Sequence, residues 1–76
     1  MVAFNREEYR LIRGSDVIRD GMYLELARAD EPGAPLAEYF YSDSDGQLTL
    51  TVYAGQLPQE LLIWFRHEAL QLLTPS

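Results

Sequence analysis

His67 is the single histidine of the chain, and it stands in the run His67-Glu68-Ala69-Leu70-Gln71. A helix carrying His-Glu-x-x-His binds zinc because histidines four residues apart share a face, with the glutamate as general base. Here Gln71 occupies the second ligand position, and the chain contains no cysteine. The pattern predicts no zinc centre, and His67 reads as a surface histidine between Arg66 and Glu68. Asp43-Ser44-Asp45-Gly46 is a second stretch with metal-like spacing. A calcium loop with Gly46 at its sixth position would place Tyr41 at the first and Val52 at the twelfth, and neither side chain ligates calcium. The same four residues suit a hairpin turn, since glycine permits positive φ and aspartate tolerates it.

Other chemistry finds no better footing. Ser15, Ser42, Ser44 and Ser76 fall in predicted turns or at the chain end, and none sits in a Gly-x-Ser-x-Gly elbow. The five glycines are scattered singly, so no glycine-rich phosphate loop forms. Two acids distant in sequence can meet in space and do acid–base work, which keeps a small enzyme with a carboxylate pair as an alternative. No catalytic, cofactor-binding or metal-ligating residue is assigned from the sequence, and no cofactor is expected.

The elements that must position these residues belong to a short chain. Seventy-six residues are near the lower limit for one hydrophobic core, so one domain over 1–76 is expected. Apolar types make up 47% and charged types 24%, an ordinary globular mix. Without cysteine the fold rests on packing, alone or with self-association. No apolar run approaches the roughly 20 residues of a membrane span, and MVAFNREEYR lacks a secretory h-region. A soluble cytoplasmic protein follows as the expectation. All six basic residues are arginine, which we read as a codon bias of the source.

Residues 36–42 and 47–54 read as strands joined by the Asp43–Gly46 turn, with Leu48, Leu50 and Val52 alternating against Thr49, Thr51 and Tyr53. Met22 to Ala29 is a third strand, in which Met22, Leu24 and Leu26 alternate with Tyr23, Glu25 and Ala27. Asp20-Gly21 marks a turn before it, and residues 29–35, with two prolines and a glycine, form a loop. Residues 57–73 form a helix with Pro58 in its first turn. At 100° per residue, Leu61, Leu62, Phe65, Ala69, Leu72 and Leu73 fall within an arc of about 120° that should lie on the sheet. Thr74-Pro75-Ser76 ends it. Near the N-terminus Asn5 and Glu8 fit a capping box, with Phe4 and Tyr9 placed as a staple and Gly14 as a stop. Tyr9 to Arg13 could also be an edge strand, and the capping pattern favours a short helix. The fold class is α+β: an antiparallel meander of three or four strands, with the C-terminal amphipathic helix on one face and a possible short N-terminal helix.

Two surfaces are candidates for binding. Ile63, His67 and Leu70 lie at i, i+4 and i+7 opposite the core arc, and Trp64 stands on the flank. An apolar outer face on a helix that already has a core face predicts a dimer or partner surface, with Trp64 as an anchor. The plainer reading covers Trp64 with the sheet and leaves Ile63 and Leu70 exposed. Tyr23 and Tyr53 point away from the helix, and with Tyr39, Tyr41 and Glu25 they could make an amphipathic platform on the open sheet face. The plainer reading is cross-strand tyrosine pairs on a solvent face.

The net charge of −6 is unevenly placed. Residues 29–76 carry seven acids against Arg66, and residues 29–60 carry six acids and no base. Such a surface repels phosphate, so no direct nucleic-acid binding is expected, and no membrane partner either. It suits a basic partner. The sequence therefore reads as a small acidic, non-enzymatic interaction module. Its specific form would be an inhibitor or immunity-type protein, as bacteria and phages use, that occupies a basic surface. The alternative is a homodimer or a structural subunit of a larger assembly. A nucleic-acid mimic of this kind must show its acids on one face.

Overall fold

A computed structural model describes residues 2–4 and 6–75. Five strands form one antiparallel sheet: β1 (Val2–Phe4), β2 (Glu7–Asp16), β3 (Gly21–Arg28), β4 (Ala37–Ser42) and β5 (Leu48–Val52). Their spatial order is their chain order, β1-β2-β3-β4-β5. One helix, α1 (Gln59–Leu72), follows and covers one face of the sheet. The α+β class, the antiparallel sheet and the C-terminal helix are as the sequence predicts. The strand number is not: the described residues form five, rather than three or four.

The difference lies at the N-terminus. Residues 7–16, where the capping pattern predicts a short helix, form the longest strand of the sheet. β2 pairs with β3 from Tyr9↔Arg28 to Asp16↔Gly21. An isolated two-turn helix is marginal in water, whereas this ladder satisfies the backbone along most of the segment and carries Tyr9 into the core. Gly14, expected as a helix stop, is an interior residue of β2, and Ser15, expected in a turn, is a strand residue facing Met22. Asn5, expected as a cap, lies outside the described residues, as does Ser76. Arg6 turns the chain between β1 and β2 with φ of 69°.

Alternation then sorts the side chains. The helix-facing side carries the cross-strand rows Leu11–Leu26–Ala37–Val52, Arg13–Leu24–Tyr39–Leu50 and Ser15–Met22–Tyr41–Leu48. Leu61, Phe65, Ala69 and Leu73 of the helical segment complete the core with Tyr9, Leu24, Leu26, Ala37 and Tyr39. Phe65 meets Tyr39 edge-on at 4.9 Å between ring centroids, and Trp64 packs 5.9 Å from Phe4. The helix therefore lies over β1 to β4. Leu50 and Val52 remain exposed on the helix-facing side of β5, so only Leu48 of that strand is half-buried. Leu72, part of the predicted core arc, is also exposed at the end of α1.

Candidate binding surface

The open face is built around an arginine. Arg19 lies in the β2–β3 turn and reaches back over β4. Its Nη1 and Nη2 donate to the two carboxylate oxygens of Glu38 at 3.0 and 2.9 Å. Its Nε donates to Asp16 Oδ2 at 2.6 Å, and its guanidinium lies 4.1 Å from the centroid of the Phe40 ring. A planar, forked cation suits two carboxylates and an aromatic face at once. Glu38 is buried by this arrangement. Hydrogen bonds to Glu38 first, and to Asp16 second, push the Arg19 pKa above its ordinary range. The Arg19 side chain in turn holds the Asp16 carboxyl below its ordinary value.

The same network fixes the turn itself. Asp16 Oδ1 accepts the backbone N–H groups of Ile18 and Arg19, both at 3.1 Å. Asp20 adopts φ of 57°, a conformation aspartate tolerates, and its carbonyl accepts the Asp43 N–H at 3.0 Å. That bond ties the β2–β3 turn to the β4–β5 turn, where Gly46 has φ of 71° and Asp45 Oδ1 accepts the Gln47 N–H. Asp43–Gly46 is thus the hairpin turn the sequence predicts. Between the braced ends stand Val17 and Ile18, 90% and 97% exposed. Aspartates at 16, 20, 43 and 45 lie at this end of the sheet, with Asp16 paired to Arg19.

The surfaces expected from sequence are placed as follows. Ile63, His67 and Leu70 are exposed on the outer face of α1, and His67 Nε2 is 3.2 Å from Gln71 Nε2. Trp64 is half-buried against Phe4. Tyr23 lies on the open face, as expected, and its ring covers Gly14: a Cβ there would sit 2.5 Å from the Tyr23 hydroxyl. Tyr53 is exposed just past β5, with its N–H donating to the Leu36 carbonyl at 2.8 Å. Tyr39 is in the core and Tyr41 lies on the same, helix-facing side. The four tyrosines therefore do not share one platform; the open face presents Tyr23, Phe40 and Ile12 beside the acids.

Glu25 and Glu38 are register partners on that face. Both oxygens of Glu38 accept hydrogen bonds from Arg19. Among the described residues no three His, Cys, Asp or Glu side chains are grouped to hold a metal ion. An open groove of about 560 Å³ runs between β1, β2 and the helix, lined by Val2, Tyr9, Arg10, Leu11, Trp64 and Glu68. Among the described residues no helix is long and apolar enough to cross a membrane.

Sequence reasoning missed Val17 and Ile18. The signal was present: two β-branched apolar residues inside Asp16-Val17-Ile18-Arg19-Asp20-Gly21, a stretch bounded by turn formers. Fold and surface together define a small α+β protein with a five-stranded meander, one covering helix and a braced, apolar-tipped hairpin. Comparison of the chain with protein-family models, curated proteins and solved structures gives no match.

Proposed function

We propose that this chain is a small acidic interaction module without catalysis and that it docks through the end of the β2–β3 hairpin. The observation that carries this reading is the exposure of Val17 and Ile18 on a turn whose backbone and flanks are held by Asp16, Arg19 and Glu38. Two adjacent apolar side chains on a hairpin tip serve no core. A tip already fixed in shape loses little conformational freedom when it inserts into a pocket. The aspartates around it favour a partner with a basic rim, which would speed encounter and reject acidic competitors.

The acids of the chain do not form the single carboxylate face that a nucleic-acid mimic needs. Asp20, Asp43 and Asp45 lie at the tip end, Glu7, Glu8 and Asp30 line a pocket at the other end, and Glu25 and Glu38 lie on the open face. The proposed contact is therefore local: an apolar finger in an acidic collar.

The test is site-specific photo-crosslinking in the source cells, with the reactive group at position 18 and, as a control, at position 63. The expected result is one protein adduct from position 18, weakened by raised salt and abolished by Asp20→Asn with Asp43→Asn. Binding of the isolated partner should then fall at least tenfold for Val17→Ser, Ile18→Ser. Adducts only to lipid, or unchanged affinity of that double variant, would overturn the reading.

A further inference from the structure

The free edge of β5 carries a surface that is complementary to itself. Ser42 donates its N–H to the Gln47 carbonyl at 2.9 Å, and Tyr53 donates to Leu36 at 2.8 Å. In an antiparallel ladder the bonded residues alternate along each strand. Gln47, Thr49, Thr51 and Tyr53 therefore turn their backbone groups toward β4. Leu48, Leu50 and Val52 turn theirs outward, with one N–H and one C=O each and, among the described residues, no neighbouring strand.

We propose that β5 pairs with β5 of a second copy of this chain, antiparallel and centred on Leu50, so that two sheets join into one. In that register Leu50 faces Leu50 of the second copy across the two-fold axis, and Leu48 faces Val52. Every outward N–H and C=O of the three residues meets a partner. On the helix-facing side the pairs are leucine with leucine and leucine with valine. These side chains include Leu50 and Val52, which α1 leaves 39% and 43% exposed. On the open face Thr49 pairs with Thr51, a combination that hydrogen-bonds across strands.

Charge selects this edge and this occupant. Two copies each carrying −6 repel wherever their acids face one another. Residues 47–59 contain no charged side chain at all, so β5 can meet its own copy without a like-charge pair. The opposite edge differs. β1 is three residues long, and beyond it β2 presents Arg10, Arg13 and Asp16, the charged residues that discourage edge pairing. An isologous contact of this kind closes after two copies and does not propagate.

The experiment is sedimentation equilibrium of the purified chain, with folding checked by circular dichroism. Leu50→Lys and Leu50→Glu each place a like charge against itself on the two-fold axis, and position 50 is exposed, so neither disturbs the core. The expected result is a wild-type dimer, two monomeric variants, and a dimer restored on mixing them in equal amounts. Restoration requires residue 50 to face residue 50, which no other interface predicts. A second pair of variants, Ile63→Glu and Leu70→Glu on the helix, should remain dimeric. A monomeric wild type would overturn the proposal. So would a dimer that survives both Leu50 variants or breaks on the helix substitutions. The hairpin tip plays no part in these readouts, so its failure and this one are separable.

Discussion

Arg19 grips Glu38 with both terminal nitrogens across the open face, at 3.0 and 2.9 Å, while its Nε holds Asp16. The bond joins the β2–β3 turn to the middle strand β4, so the tip does not hang free of the sheet. The two partners differ in environment. The Glu38 side chain is 7% exposed and that of Arg19 is 43% exposed. Removing the arginine would leave a buried carboxylate without its donors, which costs more than losing a surface ion pair. Arg19→Ala should therefore destabilise the fold by about 2 kcal/mol, after allowance for solvent screening on the arginine side. Arg19→Lys should recover only part of this, because a point charge cannot fork onto two oxygens and stack on Phe40. A urea-denaturation double-mutant cycle on positions 19 and 38 should give a coupling of about 1 kcal/mol or more. A coupling near zero would show that the contact does not form in solution.

The brace has a defined response to acid. The Arg19 side chain, acting first through its hydrogen bond, keeps the Asp16 carboxyl below its ordinary 3.8. A carboxyl whose folded pKa is depressed adds stability above the unfolded value, and that contribution is lost as pH falls through the folded one. The Asp16 contribution should be whole at neutral pH and fade only below pH 3.8. Arg19 is shifted the other way, and its contribution would be lost only in alkali stronger than free arginine requires. Carbon-detected NMR of the Asp16 carboxyl should give a midpoint under 3.8, with the Arg19 Nε–H signal changing in step. A midpoint at or above that value would mean the Arg19–Asp16 bond is absent.

The helix offers a contrast between two residues that share its predicted core arc. Phe65 is fully buried against Tyr39, whereas Leu72 is 40% exposed at the last position of α1. Phe65→Ala should cost about 3–5 kcal/mol, enough to unfold much of a domain this small. Leu72→Ala should cost under about 1 kcal/mol. Thermal unfolding of both variants checks the pair, and similar losses would show that the helix sits differently on the sheet.

This contrast marks how far the sequence could be read. Alternation in Met22–Leu26 and Leu48–Val52 predicts which side of each strand faces the helix, because the period of a strand is a local property. It does not predict how wide the helix is, and one helix cannot cover five strands. Leu50 and Val52 therefore have core-facing positions without a cover. The N-terminal segment was ambiguous because Asn5 and Glu8 spell a capping box, while the partner that makes β2 a strand lies at residues 21–28. That pairing lies outside the segment that spells the capping box. The brace beneath the hairpin tip was hidden for a similar reason: only the fold brings Glu38 and Phe40 beneath Arg19.

Gly14 and Gly21 both lie on the open face under an aromatic ring, but their surroundings differ in softness. A Cβ on Gly14 would meet only the far end of the Tyr23 side chain, with the hydroxyl at 2.5 Å. Gly14 also lies on the part of β2 that β1 leaves uncovered, so that ring can swing outward at little cost. A Cβ on Gly21 would collide with the backbone oxygen of Tyr41 as well as the Phe40 ring, whose Cζ would be 2.5 Å away. The backbone cannot yield without breaking the β3–β4 ladder, and Phe40 is held by Arg19 above it. Gly14→Ala should therefore change stability by no more than about 1 kcal/mol, since alanine also lowers the entropy of the unfolded chain. Gly21→Ala should cost about 3 kcal/mol, as overpacking against a fixed backbone does. The Gly21 variant should also loosen the tip, because displacing Phe40 removes the surface on which Arg19 rests. Chemical denaturation ranks the two variants, and amide exchange at Ile18 and Arg19 reads the loosening. Equal stability of the two, or faster exchange in Gly14→Ala, would contradict this account of the open face.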